Sequence, residues 1–72
     1  MNKNKLLAIL ADNGDTQSDL ASAIGISRTR LSAKINERGN AAFTQPEIAA
    51  IKKRYSLSSK QIDDIFFTSF VS

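Results

Sequence analysis

The segment Ser27-Arg28-Thr29-Arg30-Leu31-Ser32-Ala33-Lys34-Ile35-Asn36 holds the residues best suited to chemistry in this chain. Leu31 and Ile35 are four apart and form the inner side of a predicted helix. The opposite face presents Arg28, Thr29, Ser32, Ala33 and Asn36. These residue types recognise surfaces and do not make bonds. An arginine donates two hydrogen bonds to a guanine edge, and a threonine bonds a base or touches a thymine methyl. Ser32 is short enough to allow close approach. Arg30 points sideways, Lys34 and Arg38 reach for a phosphate backbone, and Asn40 does so from the loop that follows. The bland alternative is that Arg28 and Arg30 only solubilise an exposed helix.

No catalytic constellation competes with this one. The chain has no Cys and no His, so it has neither disulfides nor the usual zinc ligands. Its serines have no histidine partner. Asp63 and Asp64 are adjacent and do not share a helix face, and Asp12 and Asp15 do not match a calcium loop. No glycine-rich phosphate loop is present. The expectation is a protein that is not an enzyme and takes no cofactor, metal or small-molecule substrate.

The elements that must position the recognition residues follow from the flanking sequence. Leu6, Leu7, Ile9 and Leu10 predict a first helix from about Lys3 to Asp12, ended by Asn13-Gly14. Its basic residues ahead of an apolar patch resemble a signal peptide, but Asp12 closes the patch and no small-residue cleavage site follows. Thr16 caps a second helix with Asp19 at the reciprocal position, and Gln17 stands at its start, where a phosphate can bind. Leu20, Ala21 and Ile24 face inward; Ala21 must be small to let the next helix approach. Gly25 permits a turn, Ile26 plugs it from below, and Ser27 caps the third helix. Residues 16–36 therefore have the pattern of a helix-turn-helix, with a recognition helix over about 28–36.

Residues 37–43 predict a loop anchored by Phe43. Thr44-Gln45-Pro46-Glu47 predicts a helix start with a capping box, followed by Ile48, Ile51 and Tyr55 on one face. The run Lys52-Lys53-Arg54 suits the C-terminal end of that helix. Ser58 starts a last helix through about Phe67, with Gln61 at its third position and Ile62, Ile65 and Phe66 inward. The expected architecture is a single all-α domain over 1–72, a compact bundle of about five short helices.

Charge is divided unevenly along the chain. The net charge is +3 over 72 residues, with a pI of about 9.6. Residues 27–54 hold seven basic residues against two acids, a balance of +5; the remainder holds three against five, or −2. Positive charge concentrated on and after the third helix is the footprint of a phosphate-binding face. The longest apolar runs fall far short of a membrane span, and the expected location is the cytoplasm. The tail 62–72 carries Phe66, Phe67, Phe70 and Val71, more than one helix face buries; the excess is read as a dimerisation surface, with simple core packing as the alternative.

On the residues TQSDLASAIGISRTRLSAKIN, TQPEIAAIKKRY and SSKQIDDIFFT, the chain resembles the Cro/repressor (XRE-like) helix-turn-helix family of temperate bacteriophages. The resemblance implies a lambda-repressor-like five-helix domain that binds a palindromic double-stranded DNA operator as a homodimer. It carries DNA contact onto Gln17, Arg28, Thr29, Ser32 and Ala33. Many members have an apolar residue where Lys34 stands, and here Ile35 takes the core role. The chain is also similar in size to phage modulators of repression (antirepressors). Those bind the partner repressor itself, and in that case the face formed by Ser27, Arg28, Arg30 and their neighbours would meet protein in a heterocomplex.

Overall fold

Every helix of the computed structural model starts at a side chain that caps it. The structure describes residues 1–39 and 41–67. Within them α1 spans Lys3–Asp12, α2 Gln17–Ile24, α3 Arg28–Ile35, α4 Gln45–Arg54 and α5 Ser59–Ile62, and α5 runs on into a π-helical turn over Asp63–Phe67. The side chains of Asn2, Thr16, Ser27, Thr44 and Ser58 each accept the backbone N–H three residues on. In three of the five the third residue reciprocates: Asp19, Glu47 and Gln61 accept the N–H of Thr16, Thr44 and Ser58. A cap of this kind contributes about 1 kcal/mol, which matters in helices of four to ten residues. No strand occurs among the described residues, and the fold is an all-α bundle of five short helices.

The ends of α1, α2, α3 and α4 share one closure. After α1, Asp15 N–H donates to the Leu10 carbonyl; after α2, Ile26 to Ala21; after α3, Arg38 to Ala33; after α4, Leu57 to Lys52. Each closure needs a left-handed residue. Gly14 (φ 70°) and Gly25 (φ 79°) supply it in the two turns where the sequence shows a glycine. Glu37 (φ 53°) and Ser56 (φ 52°) supply it where the sequence shows none.

One core holds the helices together. Leu6 and Leu10 of α1, Leu20 and Ala21 of α2, Leu31 and Ile35 of α3, Ile48 and Ile51 of α4, and Leu57, Ile62 and Ile65 bury against one another. Helix α2 packs on both α3 and α4. Ala21 is 2% exposed within this packing, and a longer side chain there would cost about 1–3 kcal/mol by pushing neighbouring backbone away. Ile24, Ile26, Phe43, Tyr55 and Phe66 cover the core half-buried. The radius of gyration, 11.4 Å, is close to the roughly 11 Å of one compact domain of this length.

The last helix departs from expectation in its second half. A continuous helix through about Phe67 was predicted; the chain widens into a π turn after Ile62. Apolar positions three and four apart fit either winding, so the sequence does not separate them. The Ile65 carbonyl in this turn accepts the Asn2 N–H at 2.7 Å, which ties the start of α1 to the end of the chain's described part.

Candidate functional site

The two-helix unit is built as its sequence requires. Gly25 turns the chain after α2, Ile26 lies half-buried beneath the turn, and the Ser27 hydroxyl accepts the Arg30 N–H at 3.1 Å to start α3. Leu31, fully buried, and Ile35, 3% exposed, seat α3 on the core. With roughly 100° between successive residues, Thr29, Ala33 and Asn36 lie about opposite Leu31. Ser32 lies to one side of that arc, and Arg28 and Arg30 stand at its two edges. Arg28, Thr29, Arg30 and Asn36 are exposed, while Ser32 and Ala33 are half-buried. The α3 arc thus has uncharged side chains between two arginines, and Arg38 follows it, exposed, just beyond the helix. Among the described residues, Arg28, Arg30 and Arg38 take part in none of the ion pairs.

Three expected contact residues use their polar atoms inside the fold. The Ser27 hydroxyl serves as the helix cap. The Asn36 side chain donates to the Ser32 carbonyl at 2.9 Å and accepts from Lys3 Nζ at 3.2 Å. Lys34 requires a correction. It was expected on the surface with a cation free for phosphate or a partner, but it is 7% exposed and turned inward. Its Nζ donates to Glu47 Oε1 and to the Ala42 carbonyl, both at 2.8 Å. The reason is its place on the wheel: about 60° from Leu31, on the side away from Ile35, it faces the start of α4. Both Lys34 and Ile35 therefore enter the interior. Gln17, first residue of α2, is half-buried.

Lys3 was missed by the sequence reading. It is exposed, and its bond to Asn36 sets a further cation beside the C-terminal end of α3. Thirty-three residues separate the two, and no local pattern announces such a pairing.

The other basic run has a different fate. Arg54 Nε donates to Asp15 Oδ2 at 2.9 Å, and the Tyr55 hydroxyl donates to the same oxygen at 2.7 Å. The Arg54 and Tyr55 hydrogen bonds hold the Asp15 carboxyl below its usual range. Burial, reinforced by Asp15, pushes the Tyr55 hydroxyl up to about 12. At Glu47 burial acts to raise the carboxyl, but the Lys34 hydrogen bond and the Thr44 N–H outweigh it and the net direction is down.

At the C-terminal end, Phe66 is half-buried and meets Phe43 edge to face, with ring centroids 5.3 Å apart. Phe67 is 55% exposed. Phe70 and Val71 of the expected dimerisation surface lie outside the described residues, as does Asn40. An open cavity of about 370 Å³ lies beside Phe43, Ile48, Phe66 and Phe67. Among the described residues no helix is long and apolar enough to cross a membrane, and no group of three or more acidic, His or Cys side chains is placed to hold a metal ion. Compared with protein-family models, with curated proteins and with solved structures, the chain matches none.

Proposed function

We propose that this chain is a sequence-specific DNA-binding regulator of a phage genetic switch, acting in the bacterial cytoplasm with α3 in the major groove of a double-stranded operator. The observation that carries the reading is the α3 surface: Arg28 and Arg30, exposed and outside every described ion pair, flank a small-residue arc of Thr29, Ser32 and Ala33. A shallow arc lets a helix approach base edges closely, and an arginine at its edge reaches a guanine or a phosphate. Gln17 at the start of α2, Arg38 and Lys3 would bind the backbone on either side. The proposed unit is a homodimer joined through the tail, with Phe66, Phe67, Phe70 and Val71 as its contacts, and reading two half-sites about 34 Å apart. No catalytic role is proposed.

A second reading keeps the same face and changes the partner: an antirepressor that binds a phage repressor. It is favoured by the make-up of the face, which has the uncharged Thr29, Ala33 and Asn36 at its centre and cations only at its margins, with Lys34 turned inward and adding none. One experiment separates the two. A gel shift is run on the intergenic DNA flanking the chain's own gene, with and without the neighbouring repressor. A shift by the chain alone, weakened steeply by salt and lost in Arg28→Ala, supports DNA recognition. No shift alone, together with removal of the repressor's shift, leaves the antirepressor.

A further inference from the structure

Lys34 is the only buried charged residue among those described, and its partners come from one place: the approach to and first turn of α4. Its Nζ bonds Glu47 Oε1 and the Ala42 carbonyl and stands 6.0 Å from the centre of the Phe43 ring. Glu47 Oε1 also accepts the Thr44 N–H at 2.9 Å, so the atom that holds Lys34 is the atom that caps α4. Leu31 and Ile35 seat α3 by apolar contact, which is non-directional and lets a short helix roll. Lys34 adds a directional bond on the side of the buried stripe away from Ile35, where it opposes that roll.

We infer that Lys34 is a positioning residue of the α3 face: through Glu47 and the Ala42 carbonyl it sets the roll of α3, and so the directions in which Thr29, Arg30 and Ala33 face a duplex, without touching the duplex itself. The functional half of this inference rests on the DNA-binding reading; the structural half rests on the ion pair alone. A roll of roughly 20° would carry side chains about 5 Å from the helix axis through about 2 Å. Hydrogen bonds to a base edge span only a few tenths of an ångström in length, so such a displacement breaks them. A buried pair of this kind adds little net stability over an apolar replacement, and its best-supported use is to fix an arrangement.

The test compares the wild-type chain with Lys34→Met and with Glu47→Gln, the second retaining the shape and the cap if the first does not fold. Residual dipolar couplings of backbone amides report how α3 lies relative to α1, α2 and α4. Lys34→Met is expected to show α3 reoriented while the other helices keep their mutual arrangement, and Glu47→Gln, whose amide oxygen still accepts but carries no charge, a smaller reorientation in the same sense. Couplings that match the wild type throughout α3 overturn the inference. In parallel, affinity is measured across salt for a duplex selected by the wild-type chain from a randomised pool and for an unselected duplex. Lys34→Met is expected to lower the ratio of the two by about tenfold, the loss of one good base contact, with an unchanged salt slope. An unchanged ratio overturns the inference, and so does a slope shallower by about one, which would put Lys34 on a phosphate. If the wild-type chain selects no duplex, the DNA reading fails and the couplings alone decide the positioning role.

Discussion

Two basic clusters look alike in the sequence and differ in the fold. Arg28-Thr29-Arg30 opens α3, and Lys52-Lys53-Arg54 closes α4. The second cluster is partly absorbed by structure: it sits at the negative end of its own helix, Arg54 is paired with Asp15, and Lys52 Nζ donates to the Ser59 hydroxyl at 3.2 Å. The first sits at the positive end of its helix, where cations are unfavourable, and among the described residues has no ion pair to compensate. Cations that stabilise a fold are placed where the fold is negative. Cations held where the fold disfavours them are not there for the stability of their own helix, which is why the proposed binding face is placed at Arg28 and Arg30. Lys34 shows the same logic within α3, since among the described residues the one cation of that helix with an internal ion-pair partner is the one that left the surface.

The contrast can be broken most strongly at Glu47. Glu47→Ala leaves the Lys34 ammonium buried with only the Ala42 carbonyl and removes the α4 capping box, and urea unfolding is expected to show a loss of about 3 kcal/mol. A loss under about 1 kcal/mol would mean that water reaches Lys34 and that it belongs with the exposed cations. The binding contrast comes next. On the proposed DNA-binding reading, Arg28→Ala is expected to cost about 1–3 kcal/mol of duplex binding, and Lys53→Ala no more than about 0.5 kcal/mol. Equal losses in titrations at one salt concentration would erase the distinction between the clusters.

A smaller effect comes from pH. Asp15 and Glu47 are both held below their ordinary values of 3.8 and 4.5, so the stability they contribute is complete above about pH 5 and is lost as pH falls through their folded-state values. Thermal melts of Asp15→Asn are expected to fall less steeply with acid than those of the wild type. Tyr55 has the opposite sign: its hydroxyl is raised from 10.0 to about 12, so its contribution is present below about pH 10 and is lost as pH rises towards 12. Absorbance titration of the phenol checks that value in the native chain, and a midpoint near 10 would open the Asp15–Arg54–Tyr55 corner to solvent. The smallest effect is at the α4 closure. Ser56→Gly relieves a left-handed non-glycine residue and is expected to raise stability by about 0.5 kcal/mol, read in urea.

Much of the fold is legible because it is local. Thr16 with Asp19, Thr44 with Glu47 and Ser58 with Gln61 announce helix starts from three residues apart, and Gly14 and Gly25 announce two of the turns. Glu37 and Ser56 make the same turn without a glycine, so the closures of α3 and α4 carry no such mark. The outer side of α3 was legible in part for the same reason: Leu31 and Ile35 define an inner side, and Arg28, Thr29 and Arg30 do emerge on the surface. At its edges the expectation failed on Lys34, which is buried, and did not include the Lys3–Asn36 bond, although Asn36 is exposed as expected.

The sequence by itself determined the helices, their caps, the glycine turns and which apolar residues could share a core, because each depends on groups within about four positions along the chain. Only the tertiary structure decided where the charges went. Lys34 meets Glu47 across 13 residues, Lys3 meets Asn36 across 33, and Arg54 meets Asp15 across 39. A cation's surroundings are made by whichever distant segment packs beside it, and its type and spacing do not contain that information.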